Sequence, residues 1–117
     1  MSQPEEQQLL SLLGLARRAG KLALGHDPGV EAIRAGEAAL LLGAADLSDK
    51  TWKDLCFEGD RAGVPARRLG AGIEEISRAI GAKKTGALTV TDPGFARKLL
   101  GLWEEAHAVD QKEEHSL

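Results

Sequence analysis

The sequence predicts an α/β fold: a three-layer α/β/α sandwich around a small mixed sheet, in a single domain. Three observations predict it. Short apolar runs alternate along the chain with longer segments whose apolar residues recur at helical spacing. The run over residues 38–43 is apolar throughout, as in a strand covered on both faces. The 117 residues, 43% of them hydrophobic, suffice for one core and are too few for two ordinary domains, and no repeat or linker divides them.

Ser2-x-x-Glu5, with Pro4 between, has the form of a capping box, and Leu9, Leu12, Leu13 and Ala16 follow at i, i+3, i+4 and i+7. The first helix therefore runs to about Ala19, with Gly20 as its left-handed stop. A short strand, Leu22-Ala23-Leu24, lies between Gly20 and Gly25. Asp27-Pro28 then starts a second helix, with Asp27 as N-cap, Val30 and Ile33 facing inward and Gly36 ending it. Leu40-Leu41-Leu42 is the centre of the next strand.

After a loop with Asp46 and Ser48, a third helix carries Trp52, Leu55, Cys56, Gly59 and Ala62 on its inner stripe and stops at Gly63. Val64-Pro65 turns into a short strand at residues 66–69. Its place in the sheet is open, so Arg67 and Arg68 are expected to be edge or surface charges. Ile73, Ile76 and Ile80 mark a fourth helix ending at Gly81, and residues 87–91 a last strand. Asp92-Pro93 repeats the helix start, with Phe95, Leu99, Leu102, Trp103 and Ala106 inside. The domain is expected over residues 1–108, and residues 109–117 as a polar, frayed tail.

Composition excludes several function classes. No Tyr and only two Phe are present, which removes the stacking platform of sheet-based single-strand binders. Cys56 stands alone, so neither a disulfide nor a cysteine metal cage forms within one chain. His26, His107 and His115 lack metal-ligand spacing. Neither a nucleophile elbow nor a Gly-rich phosphate loop with Lys occurs. A non-enzyme without cofactor or metal is expected. Cys56, on an inner stripe, is expected to be a buried small hydrophobe. No run approaches the ~20 apolar residues of a membrane span, and no signal-peptide pattern opens the chain, so a cytoplasmic protein off the membrane is expected. The net charge of −3 is unevenly spread: residues 9–103 carry +3 between acidic ends. A mildly basic body is compatible with an RNA partner.

The loop from Gly25 to Pro28 sits at a helix start, where main-chain N–H groups favour anions such as phosphate. Around it, residues 13–21 (Leu-Gly-Leu-Ala-Arg-Arg-Ala-Gly-Lys), Leu24-Gly25, Ala32-Ile33-Arg34-x-Gly36 and Val90-Thr91-Asp92 form one ordered pattern. With it the chain resembles the ribosomal protein L-seven-Ae / L-thirty-e family, nearest its small bacterial YlxQ-like members, from Leu9 to Leu102. The resemblance implies an α/β/α protein that binds kink-turns or related structured RNA, ribosomal RNA included, without catalysis. It also implies two contact loops, which fall here on residues 25–31 and 82–86. The family's Gly-x-Asn-Glu-x-x-Lys pattern is altered at three places, where this chain has Asp27, Pro28 and Glu31. An Asp carboxylate accepts from guanine N–H groups but lacks the amide donor of Asn, and Glu31 puts a carboxylate where a donor would serve.

The candidate RNA-binding residues are therefore Lys21, Gly25, His26, Asp27, Glu31, Arg34, Lys83, Lys84 and Thr85. Lys21, beside the Gly25 loop, and Arg34, with Arg17 and Arg18, would contact the RNA backbone, which positions a protein without reading sequence. His26 would stack on a base or meet phosphate, and Lys83-Lys84-Thr85 form a basic tip. Each has a plainer reading: solvated charge for Arg17, Arg18, Lys83 and Lys84, a helix cap for Asp27, an exposed loop side chain for His26, and an i, i+3 pair of Arg34 with Glu31. The rival expectation is a protein-interaction module of the same fold, its RNA face eroded by Pro28, Glu31 and Glu37, serving a ribosome-assembly or transcription partner. Another is the RNA-recognition domain of a modifying enzyme whose activity is supplied in trans. A monomer is expected.

Overall fold

The computed structural model describes residues 4–115, with side chains through His107. Ser2 of the proposed capping box lies outside the described residues. Elements follow in the order α1 (Pro4–Arg18), β1 (Leu22–Leu24), α2 (His26–Arg34), β2 (Leu40–Gly43), α3 (Asp49–Ala62), β3 (Ala66–Arg68), α4 (Ile73–Ile80), β4 (Ala87–Val90) and α5 (Pro93–His115). The alternation predicted from the apolar spacing is thus present, with shorter strands. The last helix passes the boundary expected at residue 108 and continues to His115, while the side chains of the tail lie outside the described residues.

The four strands form one mixed sheet in the order β1-β4-β2-β3. β4 pairs antiparallel with both β1 and β2, whereas β3 joins β2 in parallel. The inner strands β2 and β4 are buried along their whole length, which is why residues 40–43 read as an unbroken apolar run. One face of the sheet carries α1, α4 and α5 over a core of Leu9, Leu13, Leu40, Leu42, Ile76, Leu88 and Leu99. The other carries α2 and α3 over Ile33, Leu41, Leu55 and Ala87. Each fully buried Leu or Ile contributes about 1.5–3 kcal/mol by leaving water.

β3 is an outer strand, and its arginines are built into the structure. Arg68 is half-buried: its Nε donates to the carbonyl of Ala44 at 2.8 Å, and Nη2 donates to the carbonyls of Ala45 and Leu47. Its guanidinium lies over the Trp52 ring, 5.6 Å from the centroid. The edge position expected for these arginines holds, but Arg68 is no plain surface charge, because the turn after β2 presents the carbonyls of Ala44, Ala45 and Leu47 to its forked cation. Arg67 stacks over Trp103, whose Nε1 donates to the Arg68 carbonyl at 2.7 Å, so α5 closes the outer edge of β3. Cys56 is half-buried, not enclosed, and burial pushes its thiol pKa up, with Asp60 adding to the shift and Arg68 opposing it.

Because β1, β2 and β3 run in one direction, their C-terminal ends share one edge of the sheet. α2, α3 and α4 start at that edge, and β4 enters from it. The topology therefore gathers three helix N-termini and the loop before β4 in one place.

Candidate nucleic-acid interface

The start of α2 is shaped by Gly25, which takes φ 94° and ψ 178° and is the residue preceding the helix. A side chain at this φ is strained, so glycine suits the turn between β1 and α2. The helix begins at His26, earlier than the Asp-Pro pair suggests. Asp27 is accordingly inside the first turn and makes no cap, which corrects the N-cap expectation. Its carboxylate instead meets His26 Nδ1 at 2.9 Å, and it is 92% exposed. Pro28 occupies a first-turn position whose N–H would have no helical acceptor in any case, and the ladder opens with Gly29 N–H to Gly25 O at 3.2 Å.

The neighbouring helix starts are closed by side chains. Ser48 Oγ accepts from Thr51 N at 3.3 Å at the head of α3. Asp46 Oδ1 accepts from Ile73 N at 2.8 Å at the head of α4. At α2 the first-turn amides have no side-chain cap, so a partly positive helix end faces outward between Gly25 and Asp27.

The loop before β4 lies directly beside it. Gly25 N donates to Ala87 O at 2.9 Å, extending the β1–β4 pairing by one residue. The loop is anchored from below by Ser77 of α4, a buried hydroxyl that accepts from Thr85 N at 2.9 Å and donates to Thr85 O. Thr85 Oγ1 in turn donates to Lys83 O at 2.7 Å. Thr85 is thus spent on loop geometry, and the exposed Lys83 and Lys84 project from a fixed tip. Beside the tip runs an open cleft of about 580 Å³, lined by Asp46, Ile73, Glu74, Ser77, Ala82 and Lys84.

Gly29 sets how closely α2 approaches the sheet. It is buried, and a Cβ placed there would lie 2.8 Å from Thr89 Oγ1 on β4 and 3.4 Å from Leu55 on α3. Neither Gly29 nor the caps Ser48 and Asp46 stood out as site residues in the sequence. A glycine in the middle of an otherwise helical pattern was the available signal.

Gly25, His26, Asp27, Lys83, Lys84 and Thr85 are therefore brought together. Glu31 is exposed one helical turn beyond Asp27. Two candidates stand apart. Lys21 precedes β1 and accepts at its carbonyl from Thr91 N at 2.9 Å, which puts it at the opposite end of the strand from Gly25. Arg34 ends α2, and its guanidinium forks onto Glu58 of α3, Nε to Oε1 at 3.2 Å and Nη2 to Oε2 at 3.0 Å. The plainer reading of Arg34, an i, i+3 pair with Glu31, gives way to this pair because α2 and α3 lie side by side. The hydrogen bond from Arg34 holds the Glu58 carboxyl below its ordinary pKa, and Glu58 raises that of Arg34.

Among the described residues, no cluster of three or more His, Cys, Asp or Glu side chains is placed to hold a metal ion, and no helix is long and apolar enough to cross a membrane.

No protein-family model matches the sequence. The chain is 36% identical over 91 residues to the RNA-binding protein YlxQ of Bacillus subtilis, covering 78% of this chain and 90% of the relative. It is 34% identical over 104 residues to the RNA-binding protein YlxQ of Enterococcus faecium, covering 89% and 99%. Among solved structures, a Bacillus halodurans protein of unknown function superposes with a TM-score of 0.77 at 35% identity, over 81% of this chain and 95% of the other. The 15.5kD RNA binding protein of Giardia lamblia superposes with a TM-score of 0.70 at 17% identity, over 92% of each, and shares the fold.

Proposed function

The chain belongs to the family of the RNA-binding protein YlxQ, and from that premise we propose that it is a non-catalytic RNA-binding protein acting as a cytoplasmic monomer. Its interface is the sheet edge where the Gly25–Asp27 turn meets the Lys83–Thr85 loop. The observation that carries this reading is the Gly25–Ala87 hydrogen bond, which sets an uncapped helix start against a rigid basic tip. Amides and ammonium groups at fixed spacing suit phosphates on two sides of a sharply bent strand.

The target is a structured RNA of the kink-turn type, ribosomal RNA being the leading source. Asp27 accepts from guanine N–H groups of non-Watson–Crick pairs, and the cleft beside Lys84 takes an unstacked base. Lys21 and Arg34, distant from the turn, contribute at most peripheral backbone attraction.

The test is a titration of doubly labelled kink-turn RNA, reading end-to-end distance by fluorescence transfer beside an unbent duplex of equal length. Selective bending at submicromolar protein, weakened by Lys83→Ala and by added salt, is expected. Equal weak binding to both RNAs would overturn the kink-turn reading, and no binding would overturn the RNA reading.

The exposed carboxylates of Asp27 and Glu31 favour one other reading, a module docking a basic protein of the ribosome-assembly or transcription machinery. It predicts little RNA affinity even at low salt.

A further inference from the structure

α3 starts at the candidate RNA edge and runs away from it with one face turned fully to solvent. Leu55 and Gly59 are buried against the sheet. The opposite side of the helix presents Lys50, Lys53, Phe57 and Arg61, all exposed. Lys53, Phe57 and Arg61 fall four residues apart, so each stands about 6 Å beyond the last along the axis. Phe57 is 61% exposed, and the Arg61 guanidinium lies 5.7 Å from its ring centroid. The carboxylates of Asp54 and Asp60 flank this ridge on either side.

Phe57 serves no core, and its surroundings are wrong for a protein-docking patch. The other exposed large hydrophobic side chain among the described residues is Leu15 of α1, in the layer across the sheet. One isolated aromatic falls far short of the contiguous apolar area a stable protein interface needs. An aromatic ring between cations is instead what an unpaired nucleotide uses: any base stacks on the ring, and the cations meet its phosphates. The ridge is continuous with the edge where Ser48 heads α3.

We propose that the outer face of α3 is a second RNA contact, which takes a single-stranded extension of the structured RNA, with one base stacked on Phe57 and its phosphates near Lys53 and Arg61. This rests on the RNA reading of the edge and adds a distinct surface to it.

The experiment compares kink-turn RNA without a tail and with a six-nucleotide uridine tail on its 5′ or 3′ end, measured by fluorescence anisotropy against wild type, Phe57→Ala and Phe57→Tyr. Circular dichroism confirms that each variant is folded. Wild type should bind one tailed RNA at least about fivefold tighter than the untailed one. Phe57→Ala should erase that advantage while leaving untailed binding unchanged, and Phe57→Tyr should keep it. The absence of a tail advantage, or its survival in Phe57→Ala, would overturn the proposal while the edge reading stands on untailed binding. Failure of wild type to bind any of the RNAs would overturn both. Self-association that Phe57→Ala abolishes, without a tail advantage, would assign the face to a second copy of the chain and overturn the proposal.

Discussion

Gly25 and Ala87, 62 residues apart in the chain, are joined by one main-chain hydrogen bond of 2.9 Å, which fixes the separation of the two loops. The turn at Gly25 supplies free-standing helix amides, and the strand that starts at Ala87 ends the basic loop. Anything that displaces the turn should therefore change RNA affinity and stability together.

Gly25→Ala forces a Cβ onto a residue at φ 94°. The expected loss is about 1–3 kcal/mol of stability, read from urea denaturation, with RNA affinity falling in parallel. Unchanged stability would show that the turn relaxes to a negative φ without cost.

Gly29→Ala improves helix propensity by about 1 kcal/mol but drives a methyl to 2.8 Å from Thr89 Oγ1. Overpacking of this kind costs about 1–3 kcal/mol, so net destabilisation is expected. Since Thr89 is buried and branched, it cannot swing aside, and Thr89→Ala in the same chain should recover part of the loss. A Gly29→Ala protein as stable as wild type would show that α2 is free to lift from the sheet.

Asp92 and Asp27 each precede a proline, and their substitutions should differ. Asp92 Oδ2 accepts from Phe95 N at 2.8 Å, so Asp92→Ala loses a helix cap worth about 1 kcal/mol. Asp27→Ala loses no cap, only a first-turn charge worth about 0.3–1 kcal/mol and an exposed contact with His26. Thermal denaturation of the two variants, side by side, tests the order.

Arg68→Ala leaves the carbonyls of Ala45 and Leu47 without their side-chain donor, while Ala44 O keeps only the N–H of Leu47. The expected cost is about 2–3 kcal/mol, and Arg68→Lys should recover little of it, because an ammonium cannot span the fork. Full rescue by Lys would mean that charge alone matters at this site.

The Arg34–Glu58 pair carries a pH dependence of known sign. Glu58 titrates lower in the folded chain than its ordinary value of 4.5, whereas Arg34 stays charged. The pair's contribution is therefore fully present above that ordinary value and is lost as pH falls through the lower folded one. Denaturation of wild type and Glu58→Gln should differ at neutral pH and converge in acid. A gap independent of pH would assign the effect to packing.

The layered fold was legible in the sequence because apolar spacing is a local signal: Leu9, Leu13 and Ala16 declare a helix, and Leu40-Leu41-Leu42 a covered strand, whatever surrounds them. The left-handed stops at Gly20, Gly63 and Gly81 were legible for the same reason, since each ends a helix within its own turn. The family pattern placed the two loops of the candidate site. What only tertiary structure decided was partnership. Asp27 lost its cap to Gly25 because β1 pairs with β4 and carries the turn one residue further. Arg34 turned to Glu58, twenty-four residues away, and not to its helical neighbour Glu31, because α2 and α3 share a face of the sheet. Arg68 turned to the carbonyls of Ala44, Ala45 and Leu47 because β3 joins β2 beside the turn that carries them. Side chains with more than one available partner are settled by what the fold brings within a few ångströms, and that distance is written in no local stretch of the chain.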